Sequence, residues 1–217
     1  MGTAKKNTQA ENTTLLVLVV DRSGSMESIR DDMEGGIKTL LDEQAKEKGA
    51  CLVTLAQFDD TYELVVEGAP IAELEPYRLV PRGSTALLDA IGRTIGHVKG
   101  RLDGLDPAQR PGEILFAVIT DGMENASREW SRMQVMDSVK ARISEGWNFT
   151  FLGANQDAIQ EGQGLGVDAN ASLTYEASPT GTREAFSSMS NSMRKKRRGE
   201  SKSLEFTQEE RRRASGE

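Results

Sequence analysis

Leu15-Leu16-Val17-Leu18-Val19-Val20 is followed at once by Asp21-Arg22-Ser23-Gly24-Ser25. An unbroken apolar run of this length reads as a strand buried on both faces, since a strand with one wet face would alternate. Such a strand lies inside a sheet. In α/β proteins the crevice beyond its carboxyl end is where ligands bind. One carboxylate and two hydroxyls therefore reach that crevice within five residues. An all-oxygen set suits a hard cation such as Mg²⁺. The same residue types also build ordinary strand-to-helix turns and helix N-caps, so this motif alone leaves both readings open.

Two later segments add to it. Pro81-Arg82-Gly83-Ser84-Thr85 precedes a strong amphipathic helix pattern, and Glu113 to Thr120 is a second apolar strand that ends in Asp121-Gly122. Three oxygen-bearing turns then share one edge of one sheet. In order, Asp21-x-Ser23-x-Ser25, Thr85 and Asp121 resemble the metal-ion-dependent adhesion site of von Willebrand factor type A domains. Gly83-Ser84-Thr85-Ala86-Leu87 and Ile119-Thr120-Asp121-Gly122 are typical of that family's second and third loops. The resemblance spans Thr14 to Met193.

The resemblance implies an α/β fold, Rossmann-like and doubly wound. Its sheet is mainly parallel, with one antiparallel edge strand and helices on both faces. It also implies a divalent cation held by Asp21, Ser23, Ser25, Thr85 and Asp121, with Mg²⁺ first and Mn²⁺ or Ca²⁺ as alternatives. Three of these five ligands are neutral hydroxyls, so an incoming Asp or Glu from a protein partner is drawn to the remaining coordination position. Intracellular bacterial and phage members of this kind belong to multi-protein systems, some with AAA+ ATPases. The implied function is thus a metal-dependent protein-interaction module. Glu124 and Asn125 lie near the rim and are weaker ligand candidates. Arg22 and Arg82 flank the site within reach of an acidic partner. Asn155, Gln156 and Asp157 follow the fifth strand at the same edge, where a helix start is the simpler reading.

Along the chain, residues 1–13 read as a disordered extension, 14–193 as one domain and 194–217 as a charged, basic tail. The pattern predicts strands over 14–20, 50–58, 61–67, 113–120, 147–152 and 170–174, the third being an antiparallel edge partner of the second. A helix over 26–48 places Ile29, Met33, Ile37, Leu40 and Leu41 on one face. Gly35-Gly36 interrupts this pattern and should weaken or bend the helix. The next helix buries Leu88, Ile91, Ile95, Val98 and Leu102. A helix over 127–145 is expected to bury Trp130, Met133, Met136, Val139 and Ile143, and a short helix to start near Asn155. The last helix begins near Pro179 and uses Phe186, Met189 and Met193. Strand and helix alternate, which argues a parallel sheet covered on both faces.

Composition narrows the function. Residues 194–217 carry a net +4 against −11 for the rest of the chain. A solvated extension is the simpler reading of that tail. A nucleic-acid contact through Arg194-Lys195-Lys196-Arg197-Arg198 is the alternative, though no aromatic residue interleaves with the cluster to stack on bases. No apolar run approaches the ~20 residues that span a bilayer. Cys51 is the one cysteine, so no internal disulfide forms. With no signal-like N-terminus, this favours a cytoplasmic setting.

Enzyme readings fare poorly. His97 is the one histidine and falls off its helix's apolar stripe, which leaves no base for a Ser-His-Asp triad. There is no G-x-S-x-G elbow and no phosphate-binding G-x-x-x-x-G-K-[ST]. Gly162-Gln163-Gly164-Leu165-Gly166 does not match a dinucleotide fingerprint, and one cysteine with one histidine makes zinc a poor fit. Haloacid-dehalogenase phosphatases need a second Asp where this chain has Ser23. A metal-dependent phosphohydrolase using Asp21 and Asp121 is therefore the least favoured alternative.

Overall fold

The structure, a computed structural model, describes residues 12–155 and 157–216. The expected disorder over 1–13 falls mostly outside these residues, and Thr13 already belongs to the first strand. Six strands form one sheet: β1 Thr13–Asp21, β2 Ala50–Phe58, β3 Tyr62–Pro70, β4 Glu113–Thr120, β5 Asn148–Ala154 and β6 Ser172–Tyr175. Their order is β3-β2-β1-β4-β5-β6. All neighbours are parallel except β2 and β3, which are antiparallel at the sheet edge. Among the described residues six α-helices accompany the sheet: α1 Arg30–Ala45, α2 Leu87–Asp103, α3 Arg132–Ser144, α4 Ala158–Gly164, α5 Pro179–Arg197 and α6 Gln208–Ser215. β1 and β4 are buried along nearly all their length, as strands covered on both faces must be. The chain runs from β1 outward to β2 and β3, then returns to the far side of β1 as β4. The reversal puts the crevice between the carboxyl ends of β1 and β4.

Helix α2 buries the expected stripe of Leu88, Ile91, Ile95, Val98 and Leu102, and α5 buries Phe186, Met189 and Met193. Three expectations are corrected. First, α1 does not break at Gly35-Gly36. It runs unbroken through them, after a 3₁₀ segment at Gly24–Ile29 that replaces the expected first helical turn. A Cβ on Gly36 would lie 2.4 Å from the Phe186 ring, so Gly36 lets α5 approach α1 closely. Second, the helix expected over 127–145 starts later, at the Ser131 N-cap, where Ser131 and Gln134 form a capping box. Its buried positions are Val135 and Val139, whereas Met133 and Ile143 are exposed. Apolar residues recur at more than one helical spacing here, and packing against α2 and β5 chose the Val135–Val139 face.

Third, the described part of the expected tail, residues 194–216, is not a solvated extension. α5 continues to Arg197, and the chain then folds back so that Leu204, Phe206 and Ala214 join the core. Arg211 donates to the carbonyls of Ser172, Ala169 and Asn170 at the β6 margin. The basic cluster is largely neutralised within the chain. Arg194 pairs with Glu43, Lys196 with Glu113 and Arg198 with Glu47, while Arg197 donates to the Gln44 carbonyl near the end of α1. Among the described residues no helix is long and apolar enough to cross a membrane.

Candidate metal centre

Asp21 is the last residue of β1 and is fully buried. Its two oxygens are committed to different loops. Oδ1 accepts from the Ser23 amide at 2.6 Å, which curls the chain tightly after the strand. Oδ2 accepts from the Thr120 hydroxyl at 2.5 Å, which ties the end of β1 to the end of β4. Ser23 Oγ lies 3.0 Å from Ser25 Oγ, and Ser25 Oγ donates to Asp121 Oδ1 at 2.7 Å. Ser23, Ser25 and Asp121 thus form one hydrogen-bonded chain of side-chain oxygens, and Asp21 joins it through the Ser23 amide.

Thr85 enters from the loop before α2. Its amide donates to the Asn125 side chain, and its carbonyl accepts from the amides of Asn125 and Ala126. Gly122 shows how near its hydroxyl comes to the others. The point where a Cβ on Gly122 would stand lies 2.8 Å from Thr85 Oγ1 and 3.6 Å from both Asp21 Oδ2 and Ser23 Oγ. The absent side chain on the third loop leaves a cradle lined by oxygens of the other two. Neither Ser25 nor Thr85 spends its hydroxyl on capping. Ala86 stands at the N-cap of α2 and Ser23 at that of the 3₁₀ segment, and neither end has a side-chain cap bond.

The electrostatics match the geometry. Burial pushes the Asp21 carboxyl up to about 6, against the lowering hydrogen bonds from Thr120 and Ser23, and the neighbouring Asp121 charge pushes the same way. Burial also raises Asp121, partly offset by the Ser25 hydrogen bond. Two carboxylates are held where their charge is disfavoured unless a cation shares the space. Among the described residues no three His, Cys, Asp or Glu side chains cluster closely enough to hold a metal by themselves. The donor set is instead two carboxylates and three hydroxyls, which suits a hard cation that also keeps water.

The remaining expectations divide. Glu124 is not poised as a ligand: it accepts from the amides of Leu88, Ala126 and Ser127 and from the Ser127 hydroxyl, fastening the third loop to α2. Asn125 holds Thr85. Arg22 is buried and turned away from any partner, paired with Asp59 and Glu63. Arg82 is exposed and also pairs with Asp59. Asn155 adopts a left-handed conformation and accepts from the Ala177 amide, while Asp157 caps α4. Gln156 lies outside the described residues. Sequence reasoning missed Thr120, Gly122 and Asp59. Thr120 and Gly122 stood inside a quoted motif, where a strand-end Thr-Asp-Gly could have suggested them. Asp59 gave no signal, because an Asp-Asp pair after a strand reads as an exposed turn.

A scan against protein-family models finds no match, and neither does a search of curated proteins. Solved structures do match. Proximal thread matrix protein 1 from the mussel byssus, in a form with a zinc-occupied MIDAS motif, superposes with a TM-score of 0.58 at 16% identity, over 84% of this chain and 45% of that one. A von Willebrand factor type A protein from Catenulispora acidiphila gives 0.55 at 18% identity, over 83% and 42%. The manganese-loaded TRAP protein of Plasmodium vivax gives 0.58 at 14% identity, over 82% and 72%. The chain thus spans less than half the length of the first two proteins. Strand order, the antiparallel edge and these superpositions together establish that the chain has the von Willebrand factor type A fold.

Proposed function

We propose that this protein is a divalent-cation-dependent interaction module, with Asp21, Ser23, Ser25, Thr85 and Asp121 holding the ion, Mg²⁺ by preference. The observation that carries this reading is the oxygen-lined cradle at Gly122, where hydroxyls of Ser23 and Thr85 and the Asp21 carboxylate face one small space. When bound, the cation would supply a Lewis-acidic point for a carboxylate from outside. The residues of the chain do the rest. Asp21 and Asp121 provide the negative charge, while Thr120 and the Ser23 amide orient Asp21. The Ser25–Asp121 hydrogen bond holds the outer lip until an ion takes its place. Exchangeable water would complete such a shell.

The partner is a protein presenting an Asp or Glu. The zinc in the MIDAS motif of one superposed protein, and the manganese with which another is loaded, support a divalent ion as the ligand. An intracellular setting, with an AAA+ ATPase or another component of a multi-protein system as partner, is proposed on the sequence resemblance alone. Calorimetric titration of the metal-free protein with Mg²⁺ tests the site. Saturable heat in the wild type that vanishes in Asp21→Ala is the expected result; equal traces from both proteins would sink the reading.

A further inference from the structure

Asp59 is the most heavily partnered buried carboxylate outside the proposed ligand set. Its side chain is fully buried, in the turn between β2 and β3. Oδ2 accepts from Arg22 Nε at 2.9 Å and from Arg82 Nε at 2.7 Å. Oδ1 accepts from the Thr61 amide and hydroxyl, both at 2.6 Å. Its backbone carbonyl accepts from the Ala86 amide at 2.9 Å. Arg22 immediately precedes Ser23, and Ala86 immediately follows Thr85. Two further bonds stitch the same loops: Arg82 N donates to the Arg22 carbonyl at 2.8 Å, and Gly24 N to the Gly83 carbonyl at 3.2 Å. Gly83 has a left-handed φ of +68° and a Cβ there would stand 3.2 Å from Asp59 Cβ, so the second loop lies directly on this turn.

The geometry points to Asp59 as the positioning residue of the metal centre, one carboxylate that sets the spacing between the Ser23 loop and the Thr85 loop through Arg22 and Arg82. Mere stability is a weaker explanation for this arrangement. A buried ion pair returns little net stability over an apolar replacement, because both charges lose their hydration. What a shared carboxylate does provide is a fixed distance between two guanidinium groups on different loops. Arg22 is further held by Glu63, whose carboxylate also accepts from Gln57, so the clamp is anchored to the sheet. Asp59 touches no ion itself and acts through the two arginines, as outer-sphere groups do when they orient ligands. This inference rests on the metal reading above.

The test uses the full chain and Mg²⁺ alone, at a temperature where far-UV circular dichroism shows every variant folded. Asp59→Asn keeps the shape and the Thr61 contacts but removes the charge shared by the arginines. Its Mg²⁺ affinity is expected to fall by about 10- to 100-fold, the range for losing a group that orients metal ligands. Arg82→Ala should weaken binding in the same direction, and Arg82→Lys should recover part of the loss. A folded Asp59→Asn protein with lowered thermal stability but wild-type affinity would overturn the inference. If that variant does not fold, the exposed Arg82 decides, and wild-type affinity in Arg82→Ala would overturn it equally. A separate arm needs no metal: amide exchange of Arg82 and Ala86 should accelerate in metal-free Arg82→Ala or Asp59→Asn, and unchanged exchange rejects the clamp even where Mg²⁺ binds. Wild-type protein that takes up no Mg²⁺, with exchange accelerated as expected, rejects the metal reading and leaves the clamp standing.

Discussion

At the scale of single residues, function and stability pull Asp21 in opposite directions. Its carboxyl is raised to about 6 mainly by burial, so without a cation the charged form is the strained one. A carboxyl whose folded value exceeds its unfolded value of about 3.9 stabilises the fold below that pH, and the benefit is lost as pH rises through about 6. Asp21→Asn removes the charge and keeps the shape. The amide oxygen can still accept from Ser23 N, and its nitrogen can donate to Thr120 Oγ1. Metal-free Asp21→Asn at pH 8 is therefore expected to be more stable than the wild type, by about 1–3 kcal/mol, while losing Mg²⁺ binding. A urea titration beside a calorimetric one checks both halves. Asp59 has the opposite sign. Burial would raise its carboxyl, but hydrogen bonds from Thr61 and Arg82 and the charge of Arg22 outweigh burial and hold it well below the usual range. Its contribution is present above about pH 4 and is lost as the solution becomes more acidic. Gly122→Ala offers a steric test. The new methyl would stand 2.8 Å from Thr85 Oγ1 inside the cradle, so Mg²⁺ affinity should collapse with the protein still folded by circular dichroism.

At the scale of elements, α1 carries two adjacent glycines with opposite meanings. Nothing lies within 4 Å of a Cβ at Gly35, while a Cβ at Gly36 would meet the Phe186 ring at 2.4 Å. Alanine at 35 should stabilise the protein by about 0.5–1 kcal/mol, since it only improves helix propensity. Alanine at 36 should destabilise by about 1–3 kcal/mol through overpacking, despite the same gain in propensity. Paired urea titrations of the two variants separate these effects. The Gly-Gly pair was visible in the sequence, but the glycine that mattered was chosen by a helix about 150 residues away. The same holds for α3, where spacing permitted several faces and packing against α2 and β5 selected Val135 and Val139.

At the scale of the whole molecule, the C-terminal segment belongs to the domain. Phe206 is 5% exposed, and α6 packs against α5 and β6. Phe206→Ala should cost about 3–5 kcal/mol, as truncation of a buried aromatic does, with one cooperative transition retained. A thermal scan showing no loss would mean that residues 198–216 are not part of the folded core. The charge contrast between tail and body is resolved within the molecule, because Glu43, Glu47 and Glu113 face the basic end of α5.

Local pattern was enough for the sheet strands, the α2 and α5 stripes and the order of the three oxygen-bearing turns, because apolar periodicity and strand-end chemistry are written in neighbouring residues. The sequence therefore determined that Asp21, Ser23, Ser25, Thr85 and Asp121 would stand at one edge. Only the tertiary structure decided that Asp59 is buried rather than wet, that Gly122 opens the cradle, and that the basic segment after Met193 folds inward. Each of these depends on groups distant in the chain. Whether a charge is buried, or a glycine is required, is set by what arrives opposite it, and that is a property of packing rather than of the residue.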